Sequence, residues 1–469
     1  MWTVGFLMTF STSASAQSSF EEIVRDARTD SPTAQMSAAD LDIARHRKGR
    51  SVARLMPQIN LSDTQTYRVN NPDRYSFGSD EEPDCEDDPT NIFCLPLAIT
   101  DGQITLPENT LSNILSLSGT LPISSGSITN VMQQNLSKQK TQVQVDAQDE
   151  RLVQDLINQY AELQYSVGAL IMYEESLMLA EETLRAVEGR RDAGEATALD
   201  VDQAQLDVDQ AALSIAQIER SLPNTLDQLA LTSGRPAEQD VRVCPFSDNI
   251  DTGGESLDLA RATSLESVEL DLRMDTLDRT SARLDILPTL TFIGSLSYSG
   301  NGEDFQSLSD SFIYDNWYVG ANLSMTLFDG LNRHHVRREA VASLEKTEIE
   351  VETERRSLAL EDQKMALDLR DVAEDLDLSA RAVSLQEREV TASRSLYFDG
   401  GATTFDMYTQ SRSMLEQFRL QYLGLQRQQL QLTAQRWIKA GQGDALLETL
   451  FARERAHAAA IQCRTVSSQ

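Results

Sequence analysis

The chain is poor in the residues that break regular structure. It has only 12 prolines and 22 glycines in 469 positions, so long uninterrupted elements are expected. Aromatic residues make up 6% and apolar residues 40%, which is thin for one compact core of this length. Positive charge is also short. Lys and Arg number 41 against 73 Asp and Glu, a net charge of −32. Such an excess repels phosphate backbones, so nucleic acid is not an expected partner. No apolar run reaches the roughly 18 residues of a membrane-spanning helix. Cysteines are few: Cys85, Cys94, Cys244 and Cys463. Neither they nor the four histidines show zinc-site spacing, so no metal is expected.

The first ten residues are apolar, and Ala14-Ser15-Ala16 forms a small-x-small cleavage pattern before Gln17. Residues 1–16 therefore read as a secretory signal peptide. In an exported chain, a sparse even set of cysteines favours disulfides. Cys85 and Cys94 sit in an acidic insertion between two strand patterns and should be bridged. Cys244 and Cys463 follow corresponding helical segments and are placed to bridge the two non-helical tails.

One unit occurs twice. Gly194-Glu-Ala-Thr197-Ala-Leu-Asp200 is echoed 206 residues later by Gly400-Gly-Ala-Thr403-Thr-Phe-Asp406. Pro57 and Pro288 lie in matching contexts, as do Thr120–Gly126 and Ser324–Gly330. The chain reads as a tandem duplication of structural repeats, 17–253 and 254–469. Each repeat holds two segments of period two, about 57–67 and 111–124, then 287–299 and 316–328. One face is apolar, as in Leu290, Phe292 and Leu296; the other is Ser, Thr and Asn. Tyr298, Phe312, Tyr314, Trp317 and Tyr318 gather near strand ends, as an interfacial aromatic girdle would. This is the length and pattern of tilted transmembrane strands.

The remainder is helical in period. Residues 127–193 contain no proline, and 331–397 neither proline nor glycine. Each run would extend about 100 Å as helix. Apolar residues recur at threes and fours, a coiled-coil-like pattern. Return helices are expected over 197–233 and 403–440, with the C-terminal segment lying at mid-height beside the helices. Four strands cannot face lipid with open edges. Three copies would supply 12 strands, enough to close a barrel with a lumen. The expected fold is an α+β membrane protein: a trimeric 12-stranded transmembrane β-barrel, four strands per chain, continued by a long α-helical coiled-coil barrel.

These features resemble the TolC family of outer-membrane channel proteins. The likeness covers nearly the whole mature chain and is carried most specifically by the two turns and by Leu327-Phe-Asp-Gly330. It implies a homotrimer in the outer membrane reaching into the periplasm. It implies a periplasmic adaptor (membrane fusion) protein and an inner-membrane RND or ABC transporter as partners, with drugs or, in type I secretion, polypeptides as cargo. It also implies that Gly194, Ala196, Thr197, Gly400, Gly401, Ala402 and Thr403 form the adaptor-docking tips. A periplasmic gate is implied at Asp200, Tyr397 and Asp406, with Asp200 hydrogen-bonded to Tyr397. The second turn departs from the family pattern, with Ala402 where an arginine is usual and Thr409 where a second acid is usual. Thr197 and Thr403 are placed to N-cap the return helices. No nucleophile, zinc-protease or phosphate-loop motif is present, so neither an enzyme nor a cofactor is expected. The competing reading is a soluble periplasmic coiled-coil adaptor or tether, which leaves the alternating strands unexplained.

Overall fold

The computed structural model describes residues 18–69, 109–236, 240–244, 246, 257–302, 313–400, 404–460 and 463–466. The expected signal peptide, Cys85, Cys94, Phe312, Gly401, Ala402 and Thr403 lie outside them. The elements run α1 (Phe20–Asp30), α2 (Pro32–Ala53), β1 (Gln58–Val69), β2 (Asn109–Ile123), α3 (Ser125–Asp192) and α4 (Ala198–Ser233). A short β3 (Val241–Val243) follows, then α5 (Thr263–Leu284), β4 (Thr289–Gly302) and β5 (Ile313–Ser324). The chain ends with α6 (Asn332–Ser395), α7 (Phe405–Lys439), α8 (Gly443–Ala460) and β6 (Arg464–Val466). Helices α3 and α6 have 68 and 64 residues. No described helix is long and apolar enough to cross a membrane.

The chain divides into two compact units that cut across the two repeats. One, residues 47–134 and 277–340, is built on an antiparallel sheet of order β1-β2-β4-β5. Its register puts side chains of one kind on one face. Leu61, Leu117, Leu296 and Trp317 are aligned across all four strands. Next to them on the opposite face run Ser62, Ser116, Ser297 and Asn316. Two of these serine hydroxyls, Ser62 and Ser116, lie 2.7 Å apart, oxygen to oxygen. Much of the apolar face is bare: Leu61 is 70% and Trp317 64% exposed. Asp63, aligned with Leu115, interrupts that face on strand β1.

Strand β5 stops at Ser324, short of the 316–328 pattern. Gly330 and Leu331 have φ of 67° and 74°, a left-handed pair that turns the chain out of the sheet. Asp329 then accepts the Arg333 amide at 2.9 Å and caps the first turn of α6.

The described residues of the other unit, which spans 1–46, 135–276 and 341–469, are mainly helical. Its main core packs Leu152, Leu156, Leu163 and Leu170 of α3 against Leu222, Leu226 and Leu229 of α4 and Leu430 of α7. Each side chain fully withdrawn from water contributes about 2 kcal/mol. Helix α1 closes this core with Phe20, stacked on Tyr160 at 4.3 Å. Ser19 and Glu22 form a reciprocal capping box at its start. Strands β3 and β6 pair antiparallel, and Cys244 is disulfide-bonded to Cys463 beside them. Helices α1 and α8 are not announced by the sequence pattern, in which 441–469 reads as non-helical. Gly441 ends α7 with φ 68°, and a Cβ there would sit 2.1 Å from the Arg261 carbonyl oxygen. Only glycine fits that approach.

Candidate functional site at the hairpin turns

Both helix-to-helix turns belong to the helical unit. The α3–α4 turn follows from local chemistry. Gly194 has φ 80°, and its amide donates to Arg191 O at 2.9 Å while the Glu195 amide donates to Arg190 O at 2.8 Å. That closes α3 with a left-handed cap. Thr197 then accepts the Asp200 amide at 3.2 Å, and the Asp200 carboxylate accepts the Thr197 amide at 2.9 Å. The pair starts α4, with the carboxylate beside the positive helix end. Ala196 is half-buried against the core beneath the turn, while Leu199 is 64% exposed.

The second turn is built differently. Helix α6 widens into a π-helical turn, Leu396–Gly400. The N-cap of α7 is Thr404, not Thr403, and its hydroxyl accepts the Met407 amide at 3.4 Å. Two adjacent threonines are equally suited to that role by type. The wider turn shifts the cap by one residue. Asp406 lies in the first turn of α7.

Beneath the turns, Val187, Ala204, Val390, Tyr397, Phe405 and Tyr408 form one core from all four helices and their turns. The Tyr397 and Tyr408 rings are nearly parallel at 6.4 Å, and Phe405 lies 5.4 Å from Tyr397. The Tyr408 hydroxyl is 3.3 Å from that of Thr183. The hydroxyl of Tyr397 is buried and makes no hydrogen bond. The expected Asp200–Tyr397 bond is therefore not formed; the Asp200 carboxylate accepts the Thr197 amide at its own helix start. Burial pushes the Tyr397 phenol above its ordinary range; Arg190 opposes the shift and the Asp200 charge adds to it.

Arg190, near the end of α3, is the contact that sequence reasoning missed. Its guanidinium lies 4.5 Å from the centre of the Tyr397 ring and donates to the Tyr397 carbonyl. It also pairs with Glu195 at 3.6 Å. Arg190 thus ties the first hairpin to the second turn. Arg394 and Glu182 join α6 to α3 at 2.8 Å. Deeper in, buried Arg412 of α7 pairs with Asp207 of α4 at 3.6 Å and donates to Ser176 O of α3 at 3.4 Å. Burial raises the Asp207 carboxyl, with Arg412 opposing and Glu416 reinforcing. No group of His, Cys, Asp or Glu among the described residues is arranged to hold a metal.

A sheet with one apolar face, carried with helices of more than 60 residues that end in capped turns, defines the class of membrane-strand, helical-hairpin proteins. The model of the family described as "Outer membrane efflux protein" matches residues 23–235 and 256–435. The chain belongs to that family of outer-membrane channels. Among curated proteins, it is 29% identical over 184 residues to the pyoverdine export outer membrane protein OpmQ of Pseudomonas aeruginosa. That match spans 38% of this chain and 37% of OpmQ. Solved structures extend the likeness in fold. CusC aligns with a TM-score of 0.72 at 14% identity, over 91% of this chain and 93% of its own. VceC of Vibrio cholerae gives 0.70 at 16%, over 90% and 96%. The open state of MtrE from Neisseria gonorrhoeae gives 0.70 at 14%, over 90% and 89%.

Proposed function

We propose that three copies of this chain form the outer-membrane exit duct of a tripartite efflux or export system. The duct passively conducts substrate delivered by an inner-membrane RND or ABC transporter through a periplasmic adaptor protein. The observation that carries this reading is the four-stranded sheet. Its apolar side chains align on one face and its hydroxyl side chains on the other, and its outer strands β1 and β5 each have one partner among the described residues. Lipid tolerates neither open strand edges nor unpaired backbone groups. Three four-stranded sheets joined edge to edge make 12 strands with a polar lumen. In this reading the two repeats, 17–253 and 254–469, each contribute two strands and one helical hairpin.

The hairpin turns dock the adaptor, and the residues around them gate the duct. Asp200 and Asp406 lie in the first turns of the return helices. They set the charge of the periplasmic opening, while the Arg190–Tyr397 contact holds the two hairpins of one copy together. Fractionation tests the reading. Heat-modifiable trimers extracted from outer membranes by detergent support it. Release of a soluble chain by osmotic shock overturns it. OpmQ, by its name, exports pyoverdine. A small-molecule cargo of that kind is the first candidate for transport assays.

A further inference from the structure

Cations are concentrated in one part of the sheet unit. Its described residues carry ten Lys and Arg. They are not spread over the sheet. Nine of the ten cations lie on the ends of α2, α5 and α6, and the tenth is Arg68 on β1. The strand register brings those helix ends to one edge: Gln58 aligns with Thr120, Ile123 with Leu290, and Thr289 with Ser324. Seven of the nine fall into two groups. Arg333 is bonded to Asp285, Asp329 and the Thr326 carbonyl, and Arg337 donates to Ala282 O at 3.1 Å. Those two hold the turn together. Arg47, Arg50, Arg54, Arg283 and Arg338 are exposed and make no ion pair among the described residues.

Beside these cations the chain leaves large apolar side chains in the open. Leu327 is 88% and Phe328 80% exposed, and Ile286, Leu287 and Leu331 are also bare. An exposed apolar cluster bordered by exposed guanidinium groups matches a lipid leaflet in both layers.

We propose that this edge is a collar that binds anionic phospholipid. Arg47, Arg50, Arg54, Arg283 and Arg338 hold lipid phosphates of the leaflet on the helix side, while Leu327 and Phe328 enter the acyl region below. The inference rests on the reading that the sheet crosses the outer membrane. The guanidinium fork suits phosphate oxygens.

The test uses purified full-length protein, parent and the quadruple variant R47Q/R50Q/R283Q/R338Q, with R47K/R50K/R283K/R338K as the charge-preserving control. Each is reconstituted into phosphatidylethanolamine vesicles with and without phosphatidylglycerol. Retained lipid is then counted by native mass spectrometry. Parent and lysine variant should retain phosphatidylglycerol preferentially. Each cation at an anionic surface contributes about fivefold, so the glutamine variant should lose about two to three orders of magnitude of that preference. All three should still float with pure phosphatidylethanolamine vesicles. Equal lipid selection by parent and glutamine variant overturns the collar while leaving the membrane sheet standing. Failure of every form to float with either vesicle overturns both.

Discussion

Replacing Arg190 by Met should loosen the hairpin turns and raise the resting conductance of the duct. The substitution keeps a chain of similar length over the Tyr397 ring and removes the charge. Two interactions are lost. The charge-assisted hydrogen bond to the Tyr397 carbonyl is worth about 1.5–3 kcal/mol. The guanidinium over the ring at 4.5 Å adds about 0.5–1 kcal/mol. The pair with Glu195 adds little, because that carboxylate is 65% exposed and screened. The loss is therefore about 2–4 kcal/mol per copy. It falls on the contact that carries a full charge from the first hairpin to the second turn. Amides of the α6–α7 turn should exchange with deuterium about a hundredfold faster, as that free energy implies. Single-channel recordings in planar bilayers should show a larger or more frequently open resting state. Lys at 190 should restore part of the effect, since it returns the charge without the planar fork. If exchange and conductance in Arg190→Met match the parent, the clasp does not hold the turns.

Four further outcomes concern the helical unit. Arg436 and Asp362 form a buried pair at 2.8 Å, with side chains 1% and 9% exposed; Asp362→Leu alone should cost about 3–5 kcal/mol in denaturant unfolding, and adding Arg436→Met should recover part of it. Glu454 is raised above the carboxylate range chiefly by burial, although it accepts the Phe20 amide at 3.1 Å. Its stabilising contribution is full below the unfolded-state carboxylate range and is lost as pH rises through the raised folded value. Glu454→Gln should therefore melt higher than the parent at neutral pH, with the gap closing in acid. Gly441→Ala meets both a positive φ and a backbone oxygen 2.1 Å from the new Cβ, so thermal unfolding should show a loss of more than about 1 kcal/mol. Gly424→Ala, with nothing within 4 Å on a helix, should instead gain about 0.5–1 kcal/mol.

Most of the fold is legible in the periodicity of the sequence. Strand faces such as Leu290, Phe292 and Leu296 alternate because each side of the sheet meets a different medium. The long helices are legible because nothing in them breaks the backbone pattern. Helix α1 escapes notice because it is short and buried by partners remote in sequence, such as Phe20 on Tyr160. Sequence spacing also misplaces the clasp. An acid and a tyrosine in the right turns suggest a bond, but Asp200 is committed to Thr197, three residues away. Arg190 meets Tyr397 across 207 positions, and no local pattern announces a contact of that separation. Strand β5 ends early because its partner does: Ser324 pairs with Thr289, the first residue of β4 after Pro288.

In the proposed trimer this sheet, closed by copies of itself, encloses a water-filled path. Single-channel recording of the purified, detergent-extracted protein in a planar bilayer detects such a path. Discrete conductance steps of uniform size are expected, with cations favoured and the preference weakened in Asp406→Ala. Addition of protein with no discrete steps, while the same sample is folded and bound to the bilayer, would contradict it.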